Sequence, residues 1–352
     1  MKKALLFCLF LHCFDCQAAV DRHLLDEMLT TVHNEYLEKI DYEKLVAAGV
    51  EVVHELEPTL VVSKGSNQFY IYKNHQIYKI VPFPKDVSEK KGWVETLAQI
   101  LDTATQNSEK ISIKDFALPD MVMQKMTTVL DEYSHYYSEF EYKEEDENNA
   151  IYTLYIDRMI DNVLYIRMRI FNKQSAKQVE KSIKEHQQIS GIILDLRSNS
   201  GGMFNEALKI ADLFTEESII TYTAGRGRKN IHYYTSNKDV LYDGPLVILV
   251  DGKTASAAEV LAGGLQEQSR AKIVGTTTFG KGTIQNVTTM SNGGKLVLTS
   301  EQFFTPSGKK IHKKGITPDK CLSLEEDVCQ KENRLKNDED IEEALKLLKN
   351  EI

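Results

Sequence analysis

The chain has 352 residues, 42% of them apolar and 27% charged, with a formal net charge of −9 at pH 7. That length and apolar content can bury one large core or two modest ones. The acidic balance argues against sequence-independent nucleic-acid binding, which rests on clustered Lys and Arg meeting phosphates.

Met1-Lys2-Lys3 is a basic start, Ala4 to Phe14 is a mostly apolar run, and Cys16-Gln17-Ala18-Ala19 supplies the small residues a signal peptidase needs. The run is too short to span a bilayer as a stable helix. Residues 1–19 are therefore expected to be a cleaved signal peptide, with the chain exported to a periplasmic or extracellular space. A retained anchor or lipid is the lesser reading. Cleavage removes Cys8, Cys13 and Cys16 and leaves Cys321 and Cys329. In an oxidising compartment these two are expected to form a disulfide, the alternative being two free thiols in a surface tail.

From Asp21 to about Leu56, Leu24, Leu25, Met28, Leu29, Val32, Tyr36 and Leu37 fall on one helical stripe. Phe69 to Tyr72 and Gln76 to Val81 are two β runs around a short turn, closed by Pro82 and Pro84. Gly92 to Gln106 returns to helix, and Met121 to Tyr137 reads as a second helical stretch. The aromatic group Tyr133, Tyr136, Tyr137, Phe140 and Tyr142 reads as packing rather than as a ligand cage. The acidic run 143–149 is the linker candidate.

Past the linker the pattern changes. Val163 to Ile170 is a strand, Ser175 to Glu185 an amphipathic helix, and Gly191 to Leu196 a buried strand by its continuous apolar run. A turn, 197–202, leads into a helix from Phe204 to Phe214. Strand 246–250, helix 256–267 and strand 272–275 repeat the βαβ alternation. Lys295 to Phe304 is β, and Ile341 to Leu348 closes as a short helix.

Chemistry concentrates between Asp251 and Gln285. Ser256 stands at the start of a helix, whose free N–H groups and dipole favour developing negative charge. The same Ser256-Ala-Ala-Glu259 is also a capping box, in which the hydroxyl merely satisfies a helix N–H. Lys281 lies between Gly280 and Gly282. To act as a base it must be neutral, which burial favours; an exposed loop lysine is the plainer alternative. Together they are the parts of a Ser/Lys dyad. Gly275 to Lys281 matches most of a P-loop, but Gly282 stands where a Ser or Thr must bind magnesium, and a strand follows instead of a helix. Gly201-Gly202 is a source of backbone N–H groups of the kind an oxyanion hole uses, and equally a turn that needs glycine torsions.

The blocks DLRSNSGG (195–202), DGKTASAAEVLAGGLQE (251–267), VGTTTFGKGTIQ (274–285) and TPSGKKIHKKGITPD (305–319) resemble the C-terminal processing peptidases, the tail-specific serine proteases of family S41. The resemblance covers about residues 160–320. It implies an α/β (α+β) fold with a ClpP/crotonase-like core built of βαβ units. It makes Ser256 the nucleophile, Lys281 the general base and Gln285 the residue that positions the lysine. The backbone N–H groups of Ala257 and of Gly201 or Gly202 would form the oxyanion hole. Neither metal nor other cofactor is implied. The stretch before residue 145 resembles the helix that leads into a PDZ domain in the family, but the chain between Glu145 and Val163 is too short to hold one.

The expected organisation is a signal peptide (1–19), a mainly helical N-terminal region (20–145) with a β-rich insert at 69–81, a catalytic core without a PDZ domain (146–330) and a C-terminal tail with a helix (331–352). The expected function is serine endopeptidase activity on protein or peptide substrates. An adaptor or activator in place of the PDZ domain, and a homodimer through the N-terminal helices, are compatible partners. A peptide-binding scaffold on the same fold is the rival reading.

Overall fold

The computed structural model describes residues 20–108, 110–111, 117–142, 155–186, 188–237, 239–323, 329–334 and 338–350. The expected signal peptide, the acidic linker and the start of the β-like piece from Ile151 lie outside the described residues. Two compact units emerge, one of residues 1–142 with 286–298, the other of residues 143–285 with 299–352.

The first unit contains α1 (Arg22–Glu35), α2 (Tyr42–Leu56), β1 (Leu60–Lys64), β2 (Gln68–Lys73), β3 (Gln76–Pro82), α3 (Lys90–Gln106), α4 (Leu118–Thr127) and β4 (His135–Tyr137). The single stripe expected over residues 21–56 is two helices. Asp41 caps the second by accepting the Lys44 N–H, so the side chain offers the backbone a fresh start after residue 36. The helix expected from Met121 to Tyr137 ends at Thr127. Asp131 then takes the Tyr133 N–H and the Ser134 hydroxyl in a turn, and residues 135–137 pair with 295–297. Helical spacing could not reveal that strand, because its partner is remote in sequence. The β-rich insert is a three-stranded antiparallel meander, β1-β2-β3. Met28, Val32, Val46, Val53, Trp93, Leu97 and Met126 are buried in the unit's core. Of the aromatic group, Tyr136 is buried, while Phe140 is 90% exposed.

The second unit holds β5 (Tyr155–Ile160), β6 (Val163–Met168), α5 (Ser175–Glu185), β7 (Gly191–Asp195), α6 (Phe204–Asp212), β8 (Ile219–Ala224), β9 (His232–Thr235), β10 (Leu246–Val250), α7 (Ala257–Glu267), β11 (Lys272–Gly275), β14 (Lys320–Cys321) and α8 (Glu339–Asn350). Strands β12 (Thr283–Thr289) and β13 (Lys295–Phe304) are each shared by the two units. A six-stranded sheet of order β14-β11-β10-β7-β6-β5 is parallel except for its edge strand β5. The fold is mixed α/β with βαβ units, as expected.

Alternate residues of these strands serve opposite faces. Leu164, Ile166, Ile192, Leu194, Ile248 and Ile273 pack with helices α5, α6 and α7. Val163, Tyr165, Ile193, Val247, Leu249 and Val274 pack with Ala344 and Leu348 of α8. Both faces are covered, which is why the strands read as unbroken apolar runs.

Candidate active site

The site grows out of the carboxyl ends of β7 and β10. Beyond β10, Asp251 turns the chain. Its fully buried carboxylate accepts the N–H groups of Ser198, Lys253 and Thr254 at 2.8–3.1 Å. The Thr254 hydroxyl donates to the Leu196 carbonyl at 2.8 Å, and the Ala255 N–H to the Asn199 carbonyl at 2.8 Å. The turn after β7 and the turn after β10 are thus laced together before Ser256 is reached.

Ser256 has φ 56° and ψ −124°. Such a conformation costs a non-glycine residue of order 1–3 kcal/mol and persists only where surrounding contacts over-determine it. Those contacts are the lacing just described, together with Glu259, whose carboxylate accepts the Ser256 N–H at 2.9 Å.

Glu259 is fully buried and does more than cap a helix. It also accepts the Thr278 hydroxyl and the N–H groups of Gly280 and Lys281, the latter two at 2.6 and 2.8 Å. Burial holds its carboxyl above the ordinary glutamate value, and hydrogen bonds from Thr278, Gly280, Ser256 and Lys281 oppose that rise. The loop carrying Lys281 is therefore fastened to the helix carrying Ser256. The Phe279 N–H adds a direct link to the Thr254 carbonyl at 2.9 Å. Lys281 is half-buried. A Cβ at Gly282 would lie 2.3 Å from the His312 nitrogen, so this glycine is needed for close passage of two chains.

Gly201 and Gly202 lie in the turn after β7, with φ of 99° and 110°. A Cβ on Gly201 would come within 2.8 Å of Ser256 Cβ and 3.1 Å of the Ala257 nitrogen, so the turn abuts the serine. The Gly201 N–H donates to Asn199 Oδ1 at 2.8 Å. The N–H groups of Gly202 and Ala257 have no acceptor among the described residues. Gln285 on β12 donates its amide to the hydroxyls of Thr283 and Thr299 at 3.0 and 3.1 Å.

Cys321 and Cys329 are joined as a disulfide, with Cα atoms 5.8 Å apart. Among the described residues, no group of three or more His, Cys, Asp or Glu is placed to hold a metal, and no helix is long and apolar enough to cross a membrane. In the sequence Glu259 is legible only as a cap, and Asn199, Asp251 and Thr278 carry no local signal of their roles. The capping-box spacing was the one signal for Glu259. Nothing local showed that the same carboxylate meets a loop 20 residues further on.

Residues 162–321 match the model of peptidase family S41. Among curated relatives, a carboxyl-terminal-processing protease of Synechocystis sp. is 42% identical over 163 residues, which is 46% of this chain and 38% of that protein. The chloroplastic carboxyl-terminal-processing peptidase 2 of Arabidopsis thaliana is 37% identical over 161 residues, 45% of this chain and 31% of that one. The chain thus covers well under half the length of these relatives. A lipoprotein from Streptococcus agalactiae superposes with a TM-score of 0.52 at 16% identity, over 91% of this chain and 100% of that one, which shows a shared fold.

Proposed function

We propose that this chain is an exported, metal-independent serine endopeptidase of the C-terminal processing type, acting on protein or peptide chains. One observation carries the reading: Glu259 fastens the Ser256 turn and the Lys281 loop to a single buried carboxylate. In the reaction, the Lys281 side-chain nitrogen takes the Ser256 hydroxyl proton as Oγ attacks the scissile carbonyl carbon. The Gly202 and Ala257 N–H groups receive the oxyanion, since the Gly201 N–H is committed to Asn199. Collapse of the tetrahedral intermediate breaks the C–N bond, and the Lys281 ammonium returns its proton to the leaving amine. Lys281 then removes a proton from water as it attacks the acyl carbon; the bond from that carbon to Ser256 Oγ breaks, the Lys281 ammonium returns the proton to Oγ, and the new carboxyl terminus is freed. Gln285 keeps its proposed role as the residue that positions the lysine; it stands four residues beyond Lys281, with its amide held by the hydroxyls of Thr283 and Thr299. The Cys321–Cys329 disulfide supports export to an oxidising compartment.

The test is turnover of casein or a peptide by the wild type, Ser256→Ala and Lys281→Ala. Both variants are expected to lose more than the roughly 10²–10³-fold that removal of one oxyanion-hole donor costs. Wild-type rates in either folded variant overturn the assignment and favour the peptide-binding scaffold.

A further inference from the structure

Residues 329–334 run as a strap with no helix or strand of their own, tied to the end of β14 by the Cys321–Cys329 bond. The strap touches both candidate loops of the second unit. On the serine side, the Gly252 N–H donates to the Glu332 carbonyl at 2.6 Å, and the Arg334 N–H donates to the Asp251 carboxylate at 3.2 Å. On the lysine side, the Thr277 N–H donates to the Gln330 carbonyl at 3.0 Å. The hydroxyls of Thr276 and Thr277 donate to the carbonyls of Glu332 and Cys329 at 3.0 and 2.6 Å. The Lys331 ammonium donates to the Phe279 carbonyl at 2.7 Å.

The packing is backbone against backbone: a Cβ on Gly252 would lie 2.5 Å from the Lys331 carbonyl carbon. The far end of the strap is buried. Arg334 donates Nε and Nη2 to Asp340 Oδ1 at 2.9 and 2.7 Å, and is itself only 4% exposed. One carbonyl, that of Glu332, therefore receives a hydrogen bond from each loop. A short coil held in this way at both ends fixes how far the loops can separate.

We propose that the strap Cys329–Arg334 is a positioning element for the loops of Ser256 and Lys281, and that the Cys321–Cys329 bond makes this positioning redox-sensitive. The effect on turnover rests on the peptidase reading above; the effect on loop order does not. The switching co-reactant is a dithiol. One of its thiolates attacks a sulfur of the disulfide to give a mixed disulfide, and its second thiol closes on the first. Two electrons and two protons reach Cys321 and Cys329, which end as thiols, and the reductant ends as its own disulfide. The strap then keeps its buried anchor at Arg334 and loses the one at Cys329.

The test compares the full-length chain, oxidised and treated with dithiothreitol, with the double variant Cys321→Ser/Cys329→Ser. Peptide turnover and amide hydrogen exchange over residues 251–256 and 276–282 are measured on each. Reduction and the double substitution are both expected to speed exchange in both loops. They are also expected to lower kcat by roughly 10- to 10²-fold with KM little changed, as small displacements of reacting groups do. Dithiothreitol should do nothing further to the double variant, which sets aside the other cysteines. Gly252→Ala should give the same exchange pattern with the disulfide intact. Faster exchange confined to the strap, with both loops unchanged, overturns the proposal, and so does equal kcat in oxidised and reduced protein. If the wild type cleaves no better than Ser256→Ala, the peptidase reading fails, and the exchange measurement alone still decides the strap.

Discussion

Ser256 and Lys281 donate their backbone N–H groups to the same oxygen of Glu259, at 2.9 and 2.8 Å. The second oxygen takes the Gly280 N–H and the Thr278 hydroxyl, so four donors converge on one buried acceptor. Such an acceptor tolerates little change, because a donor left without its partner away from water loses its full solvation. Glu259→Gln keeps one oxygen but turns an NH₂ group toward two donors. It is expected to lower kcat/KM by at least about tenfold, and Glu259→Ala by more, since preorganised geometry at reacting groups is worth that much. Peptide turnover measures this, with circular dichroism to confirm folding; wild-type turnover in a folded Glu259→Gln protein would refute it.

Gly202 gives a second prediction. Its φ is 110°, and a Cβ there would lie 2.3 Å from the Phe171 carbonyl oxygen. Gly202→Ala must move the turn that carries a candidate oxyanion donor. Expected are a stability loss of roughly 1–3 kcal/mol and a rate loss of about 10²–10³, read by denaturant unfolding and turnover. A variant that loses stability but keeps its rate would take Gly202 out of the oxyanion hole.

The turn at Thr305-Pro306-Ser307-Gly308 is pinned by Glu267, which accepts the Thr305 hydroxyl at 2.9 Å and the Ser307 N–H and hydroxyl each at 2.7 Å. Burial raises the Glu267 carboxyl, but the hydrogen bonds from Ser307, Lys309 and Thr305 outweigh it and hold the group below the ordinary 4.5. A depressed carboxyl stabilises the fold above its unfolded value, and that contribution disappears as pH falls through the folded value. The Tm gap between wild type and Glu267→Gln should therefore be full near neutral pH and close progressively below about 4.5. Thermal melts across pH check this, and a gap independent of pH counts against it.

The carboxylate of Asp340 at the start of α8 serves two buried guanidiniums, Arg197 at 3.2 Å and Arg334 at 2.7 Å. Arg197 also makes a two-pronged contact with Asp195. Removing one member of a buried ion network leaves charge without compensation, at a cost of about 3–5 kcal/mol. Asp340→Ala is expected to lose that much in urea unfolding, and Leu348→Ala about 2–5 kcal/mol for the cavity under the sheet. A loss below about 1 kcal/mol in Asp340→Ala would mean that solvent reaches the network.

The sequence by itself determined the strands and helices of the parallel layer. Residues 191–195, 246–250 and 272–275 are short, apolar and bounded by turn residues, and each has helical spacing beside it. It also placed Ser256 at a helix start and Lys281 between glycines, because spacing and glycine torsions are local properties of the chain. The two helices within 21–56 and the strand at 135–137 were not legible. The first needed a cap that competes with an unbroken stripe, and the second needed a partner some 160 residues away.

Only the tertiary structure decided which polar groups meet. Glu259 looked like a cap because its near partner is three residues back, while its other partners come from a separate loop. The two glycines after β7 were equivalent as letters, and Asn199 distinguished them by taking the N–H of one. The strap at 329–334 has no periodicity to read, and its place is fixed by a disulfide, a buried arginine and carbonyls that accept from loops far away in sequence. Apolar patterning is written along the chain because burial follows local period. Hydrogen-bond partnership is a matter of pairwise distance, which only the folded chain sets.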